Sequence, residues 1–186
     1  ALTLLWCGSN LLTSLDVTQN TALTELGCEG NDLSSLDVTQ NTSLTDLVVG
    51  GNQFTGLDLS QNSALTLLWC DNSSLLNCLN LKNGNNYSIT SFATFYSPAL
   101  SCIEVDDAAY STANWTAVGG QIDAGATFST NCNNACSSVG IEEYSNQPRK
   151  LIRIIDYLGR ETNFKPNTPL IYQYDDGSAE KVIKIQ

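Results

Sequence analysis

A 21-residue period runs through the first half of the chain and limits the folds that the chain can adopt. Four copies follow one another over residues 1–83, and each keeps the pattern L-x-x-L-x-C-x-x-N-x-L with few changes. A unit of this length cannot bury its apolar face alone, whereas stacked units share a continuous core. A degraded copy follows at residues 89–105. The sequence therefore predicts a repeat solenoid of about five units.

The aligned residues form four columns that assign the local structure. The first segment of each unit alternates with period two, so it predicts a short strand with leucine and cysteine turned inward. The asparagine after the strand can bond to backbone groups that a turn leaves unpaired. Strands of successive units are expected to stack in parallel, about 4.8 Å apart. The columns are Leu2, Leu23, Leu44 and Leu65; Leu5, Leu26, Leu47 and Leu68; Cys7, Cys28, Val49 and Cys70; and Asn10, Asn31, Asn52 and Ser73.

The second segment of each unit is expected to return to the same core, in the second copy through Leu33, Leu36 and Val38. An aspartate column accompanies it. We interpret these carboxylates as turn residues that bond to the backbone, because a calcium site needs several ligands at one point and a ladder spreads them out. The column consists of Asp16, Asp37 and Asp58.

The pentapeptide TLLWC occurs at residues 3–7 and again at residues 66–70. The predicted strands turn Trp6 and Trp69 away from the core on the same face, three units or about 14 Å apart. Exposed tryptophan is enriched at binding hot spots and stacks on flat ligand faces, so this face predicts a surface for a protein or glycan. Alternatively, the indoles were copied with a duplicated unit or pack on adjoining leucines for stability. The predicted ligand-binding residues are Leu4, Trp6, Glu25, Asp46, Val48, Leu67 and Trp69.

Over residues 1–105 the repeat resembles the leucine-rich repeat family. The segment LTSLDVTQNTALTEL, with cysteine in the third core column, is similar to the 21-residue repeats of secreted Bacteroidota proteins. The resemblance implies a leucine-rich-repeat solenoid with a parallel β-sheet on its concave face, little helix and a cysteine-bearing end cap. It also implies a non-catalytic role in binding or adhesion, outside the cell or at its surface.

Three of the seven cysteines are predicted to be free and buried. Cys7, Cys28 and Cys70 share their column with Val49, and a position that accepts valine is acting as a small hydrophobe.

The other four cysteines are predicted to form disulfides. Cys78 and Cys102 occupy matching places in successive half-repeats, as do the cysteines of the family's end caps, and the resemblance favours a bond between them. Cys132–Cys136 would be the second bond. A Cys102–Cys132 pairing is the open alternative.

The net charge of −11 is unevenly distributed. Residues 1–136 hold twelve acidic side chains and one basic side chain, whereas residues 137–186 hold seven of each. The shift predicts two domains: the repeats with their cap at 1–136, and a β-rich domain at 137–186. The acidic part would repel phosphate, which argues against nucleic acid and anionic membrane as partners. The sequence contains no run of 18 apolar residues, so it predicts no membrane-spanning helix.

The C-terminal segment predicts a strand in KLIRIIDYLGRE, which ends at a turn at Gly159, and a hairpin that turns at Asp176-Gly177. It resembles the C-terminal sorting domains of type IX secretion cargo, although the usual YPNP-like opening is replaced by GIEEYSNQPRK. The resemblance implies export to the outer surface or medium of a Gram-negative bacterium, with a translocon and a shuttle protein as partners. A plain β-module that caps the solenoid is the alternative. The matching residues are Asp156, Leu158, Gly159, Arg160, Glu161, Tyr172, Tyr174, Asp176, Gly177 and 181–185, of which Val182, Ile183, Lys184 and Ile185 are the predicted contact with the export machinery.

Catalysis is not expected. The chain has no histidine, so it lacks a Ser-His or Cys-His nucleophile pair, and no glycine-rich phosphate loop is present. The adjacent acids Asp106-Asp107 and Glu142-Glu143 would point to opposite faces of a strand. A C-x3-C motif alone supplies only two zinc ligands, so no metal or cofactor is expected. Ala1 aligns with Ala22, so the chain is expected to start inside a unit whose N-terminal cap lies upstream. A rigid spacer or assembly module, or cargo known mainly by its sorting domain, are the alternative functions.

Overall fold

The computed structural model describes residues 1–132, 136, 151–155, 160–163, 170–174 and 179–182. The chain divides into two compact units, Ala1–Ile141 and Glu142–Gln186.

Short strands dominate the described part of the first unit. It contains β1 (Leu4–Trp6), β2 (Glu25–Gly27), β3 (Asp46–Val48), β4 (Gly56–Asp58), β5 (Leu67–Trp69), β6 (Cys78–Leu81), a 3₁₀ turn (Asn86–Ser88), β7 (Ser91–Ala93), β8 (Cys102–Val105), α1 (Ala108–Asn114) and β9 (Thr127–Ser129).

Two parallel sheets form the solenoid. The larger has the order β1-β2-β3-β5-β7 and the smaller β4-β6-β8-β9. In the larger sheet, Leu5 pairs with Leu26, Leu26 with Leu47, and Leu47 with Leu68, so the 21-residue period of the sequence is the register of the strands. Phe92 continues the row in β7 beside Leu68. The predicted repeat solenoid with a parallel β-sheet and little helix is confirmed.

The leucine columns form the core between the two sheets. Leu26, Leu47 and Leu68 are completely buried. The first unit differs: Leu2 is 43% exposed and Leu5 is half-buried, so the prediction that Leu2 belongs to the core is wrong. The reason is position, since β1 lies at the edge of the sheet and packs from one side only.

The turn asparagines bond to backbone groups of the turn, as predicted, and they also join neighbouring units. Asn52 Nδ2 donates to the carbonyl of Cys28 in the preceding unit (3.0 Å) and to that of Val49 in its own unit (2.9 Å). Its Oδ1 accepts from the amide of Leu33 (3.0 Å). Asn31 repeats this arrangement one unit earlier. Each buried amide therefore satisfies backbone groups of two units at once.

A second asparagine column lies at the opposite turn and was not among the expectations. Asn41 Nδ2 donates to the carbonyls of Val17 (3.0 Å) and Asn20 (2.8 Å). Asn62 makes the same two bonds one unit later, to Val38 and Asn41. The dipeptide QN that ends the first three units was the available sequence signal.

The aspartate column has the predicted backbone role. Asp16 Oδ1 accepts from the amide (3.0 Å) and the hydroxyl (2.7 Å) of Thr18, and Asp37 binds Thr39 in the same way. These hydrogen bonds to Thr18 lower the pKa of Asp16. The carboxylates fold back on their own turns and do not converge.

One position in every turn requires a left-handed backbone. Gly30 and Gly51 occupy it with φ of 64° and 65°, and Ser9, Asn72 and Tyr96 occupy it with φ of 55°, 55° and 56°. Glycine adopts this region freely, whereas a bulky side chain there is strained. The amides of Tyr96 and Ser97 both donate to Asp123, which holds the unusual turn in place.

The end of the solenoid is covered by α1, β9 and an aromatic cluster. Buried Trp115 stacks on Phe92 with ring centroids 4.3 Å apart, and Phe128 lies 5.7 Å from the same indole. Asp107 caps α1 by accepting from the amide of Tyr110. Within the described residues, no helix is long and apolar enough to cross a membrane.

Two disulfides close this cap, and their pairing corrects the sequence-based expectation. Cys78 bonds to Cys136 and Cys102 to Cys132, with Cα–Cα distances of 5.4 and 5.8 Å. The favoured pairings Cys78–Cys102 and Cys132–Cys136 are therefore wrong, and the alternative Cys102–Cys132 is confirmed. Cys78 and Cys102 hold matching places on the parallel neighbours β6 and β8. Matching side chains on such strands run side by side about 4.8 Å apart, whereas a disulfide needs a Cβ–Cβ distance of about 3.5–4.5 Å.

The described part of the second unit is an antiparallel sheet with the order β10-β11-β12, formed by β10 (Leu151–Ile155), β11 (Leu170–Tyr174) and β12 (Ala179–Val182). The predicted strand and the hairpin pairing are confirmed, with Leu170 opposite Val182. The predicted turns at Gly159 and at Asp176-Gly177 lie outside the described residues, as do Asp156, Leu158, Ile183, Lys184 and Ile185.

Candidate functional site

The outward side of the five-stranded sheet brings the predicted ligand-binding residues together in two columns. We call it the tryptophan face. The strand register aligns its members without a shift from β1 to β7. One column is Leu4, Glu25, Asp46, Leu67 and Ser91, and the other is Trp6, Gly27, Val48, Trp69 and Ala93.

Trp6 lies over the next strand, with half of its surface exposed. Its six-membered ring occupies the space above Gly27, because a Cβ added to that glycine would be 2.1 Å from Cε3 of the indole. Its Nε1 donates to the carboxylate of Glu25 at 3.4 Å. The ring is thus held against the sheet by its position over glycine and by one hydrogen bond, and half of it faces solvent.

Trp69, three strands further along the sheet, is oriented in the same way. It is 44% exposed, and its Nε1 donates to the hydroxyl of Ser91 at 2.9 Å. Ser91 aligns with Leu67 in the register, as Glu25 aligns with Leu4. The residue beside Trp69 in β7 is Ala93, again a small one. Both indoles therefore lean toward the following unit and bond to the same repeat position there.

The surface between the indoles is shallow and carries carboxylates. Val48 is only 9% exposed, so the prediction that it is a ligand-binding residue is wrong, and Gly27 beside it is buried as well. Asp46 is half-buried beside them, with its Oδ2 2.7 Å from the hydroxyl of Thr45. A ligand would contact the two exposed indoles and, between them, a lower surface that carries the carboxylates of Glu25 and Asp46.

A threonine ladder on the same strands fixes the spacing of the face. Thr24 Oγ1 donates to the carbonyl of Thr3 (2.9 Å), Thr45 to that of Thr24 (3.0 Å), and Thr66 to that of Thr45 (3.2 Å). Because each hydroxyl bridges two strands at their start, the ladder supports the strand spacing on which the separation of the indoles depends. The recurring threonine before each strand was the available sequence signal.

Negative charge at the face has no basic counterpart in the repeats. Lys82, the only basic residue of positions 1–136, lies beside Glu104 on the smaller sheet, with a nitrogen–oxygen distance of 3.7 Å. Glu29 lies next to the tryptophan face, where its carboxylate fills the space above Gly8. The face is therefore electrostatically suited to cations and unsuited to phosphate.

The cysteine column beneath the face is free of disulfides, as predicted, although Cys7 is half-buried rather than buried. Burial raises the pKa of Cys28 to about 12, and it raises the pKa values of Cys70 and Cys7 as well. These thiols stay protonated at neutral pH, so the column acts as packing beneath the face and supplies no nucleophile.

The acidic pairs considered for catalysis have structural partners where they are described. Asp106 accepts from the amide of Gly84, and Asp107 caps α1. The backbone hydrogen bond from Tyr110 is the main cause that lowers the pKa of Asp107. Within the described residues, no group of three or more histidine, cysteine, aspartate or glutamate side chains could hold a metal ion.

No protein-family model matches the chain, and no curated protein matches it. Among solved structures, the chain is similar to one described as the functional domain of InlJ from Listeria monocytogenes, which includes a cysteine ladder. The identity is 27%, the TM-score is 0.45, and the match covers 61% of this chain and 29% of that chain.

Proposed function

We propose that this chain is a non-catalytic binding or adhesion protein, secreted or displayed on the cell surface, whose tryptophan face contacts a protein or glycan ligand. The observation that carries the proposal is the pair of half-exposed indoles at the same register position of one sheet. Two disulfides support a location outside the reducing cytosol.

The face has the physical properties of a binding surface. Tryptophan is among the residues that dominate binding energy, since its large apolar area is accompanied by a single polar group. Here each indole N–H is already bonded, to Glu25 or to Ser91. A ligand that stacks on either ring therefore meets a side chain that is already positioned, which reduces the entropy lost on binding.

Replacing Trp6 and Trp69 together by alanine is expected to weaken ligand binding at least 100-fold, because truncation of a hot-spot tryptophan typically costs about 2 kcal/mol or more. The measurement is a glycan and protein array probed with the parent chain, followed by titration of each hit with the variant. Leu75→Ala is the matched control, since Leu75 is 47% exposed and lies outside the tryptophan face. A hit that binds the double variant with unchanged affinity would contradict the proposal.

A separate part of the proposal concerns export. The second unit is proposed to be a type IX sorting domain that engages an outer-membrane translocon and a shuttle protein of a Gram-negative host. The contact would run along Val182 and the residues that follow it, 183–185. Supporting this, β12 pairs with β11 on one side and ends the order of its described sheet, so a recogniser could add a strand there.

Fusing residues 137–186 to an inert periplasmic reporter tests this part. We expect the reporter to reach the surface or medium in a host with an intact type IX system, and to stay in the periplasm when that system is deleted. A reporter that stays in the periplasm while the full chain is exported would identify the segment as a structural module.

A further inference from the structure

The two copies of TLLWC are identical in sequence, yet their indoles have different neighbours. Trp6 lies over Gly27, with Glu25 two residues before it and Glu29 two residues after it in the same unit. Trp69 leans toward β7, where the bonded position is Ser91. The difference comes from the following unit in each case, so one indole is bonded to a carboxylate and the other to a hydroxyl.

The platform at Trp6 combines a π face with carboxylates that have no cation. Glu25 accepts one weak bond, from the indole itself, and is half-buried. Oε2 of Glu29 is buried without a hydrogen-bond partner among the described residues. Because Lys82 lies beside Glu104 on the other sheet, no basic side chain of the repeats neutralises this pair. A buried carboxylate oxygen is stabilised by a charged donor more than by water.

The indole of Trp69 has no carboxylate as its hydrogen-bond partner. Its partner is the hydroxyl of Ser91, and its neighbours in the register are Val48 and Ala93. Asp71 follows it by two residues in the chain. Stacking there gains apolar contact beside Ala93 and meets no carboxylate bonded to the indole. The face therefore has a direction, with a cationic preference at the β1–β2 end and an apolar preference at the β5–β7 end.

We infer that the tryptophan face binds a basic protein segment in extended conformation, with an arginine or lysine side chain on Trp6 and an apolar side chain on Trp69. The inference rests on the proposed function and specifies its partner. A guanidinium stacked on the indole gains a cation–π contact and reaches the carboxylate of Glu25, while Glu29 adds negative charge nearby. The spacing of about 14 Å equals about four residues of an extended chain, and residues four apart point to the same side. A cation and an apolar residue at i and i+4 would fit the face.

The test uses the whole chain and three nine-residue peptides in a serine and threonine background. The first carries arginine and leucine four residues apart, the second has uncharged citrulline in place of arginine, and the third has the order reversed. Binding is followed by NMR through the indole N–H signals of the three tryptophans, with buried Trp115 as the internal reference. The first peptide is expected to shift both exposed indoles and to bind at least tenfold more tightly than the second.

Charge variants separate the cation subsite from general acidity. Glu25→Gln keeps an acceptor for the indole N–H and removes the charge. It should therefore weaken binding of the arginine peptide about tenfold and leave the affinity for the citrulline peptide unchanged. Asp32→Asn is the matched control, since Asp32 is an exposed acid outside the face. Equal effects of the two variants, equal binding of arginine and citrulline peptides, or an unshifted Trp6 signal at millimolar peptide would each overturn the inference.

The ligands found on the array distinguish failure of the inferred basic partner from failure of the proposed function. A neutral glycan that needs both indoles but is insensitive to Glu25→Gln and to salt would overturn the cationic partner while the proposed function stands. A ligand that binds the double tryptophan variant with unchanged affinity would contradict both the cationic partner and the proposed function.

Discussion

Replacement of Leu47 by alanine is expected to lower the free energy of unfolding by about 2–5 kcal/mol. Leu47 is completely buried, between Leu26 on one side and Leu68 on the other. Each unit contacts mainly its neighbours, so a cavity here weakens two interfaces at once. The buried neighbours are held by both sheets and can fill the space only in part. Urea unfolding followed by circular dichroism measures the change.

Leu5→Ala is the matched control for this prediction. Leu5 belongs to the same column but lies on the edge strand β1 and is half-buried, so its loss should cost less than half as much. Equal effects at the two positions, or a loss below about 1 kcal/mol at Leu47, would contradict the assignment of this column as the core.

Removal of the Cys78–Cys136 disulfide by replacing both residues with serine is expected to cost about 4 kcal/mol. The bond joins residues 58 positions apart, and closing a loop of this length removes much of the freedom of the unfolded chain. Both cysteines are also buried, at 5% and 8% exposure, so serine hydroxyls would meet an apolar site. The measurement is the unfolding free energy, with the parent and the variant under the same oxidising conditions.

Cys28→Val is the control that removes a buried cysteine without removing a bond. It should change stability by less than about 1 kcal/mol, because the next unit already carries Val49 at this position. Non-reducing peptide mapping identifies the bonds themselves. A peptide that joins Cys78 to Cys102 would contradict the pairing described above and the loop length on which the estimate depends.

Much of the repeat architecture follows from residue spacing alone. In a parallel stack, a residue lies beside the residue one period later, so a 21-residue offset in the sequence becomes a contact between Leu26 and Leu47 in space. The same rule places Trp6 and Trp69 on one face. Asn52 and Asp37 were predictable for a similar reason, since each acts within a few residues of its own turn or one unit away.

Other features depend on what the neighbouring unit or a distant segment presents. The orientation of Trp6 depends on the absence of a side chain at Gly27, and its charge environment on Glu25, both from the next unit. The two pentapeptides are identical, but pairing across the sheet gives their indoles different hydrogen-bond partners, Glu25 and Ser91. The strained backbone at Tyr96 is tolerated because Asp123, 27 positions away, accepts the amide of that turn.

The sequence by itself determined the period, the inward columns and the face on which the tryptophans lie, because a constant offset between stacked strands leaves no freedom in register. Only the tertiary structure decided which cysteines meet. Cys78 and Cys102 match in sequence, yet their bonds are to Cys136 and Cys132, which the chain after β9 brings to them. A disulfide depends on the distance and direction of two Cβ atoms, and those are set by the path of the whole chain rather than by similarity of position.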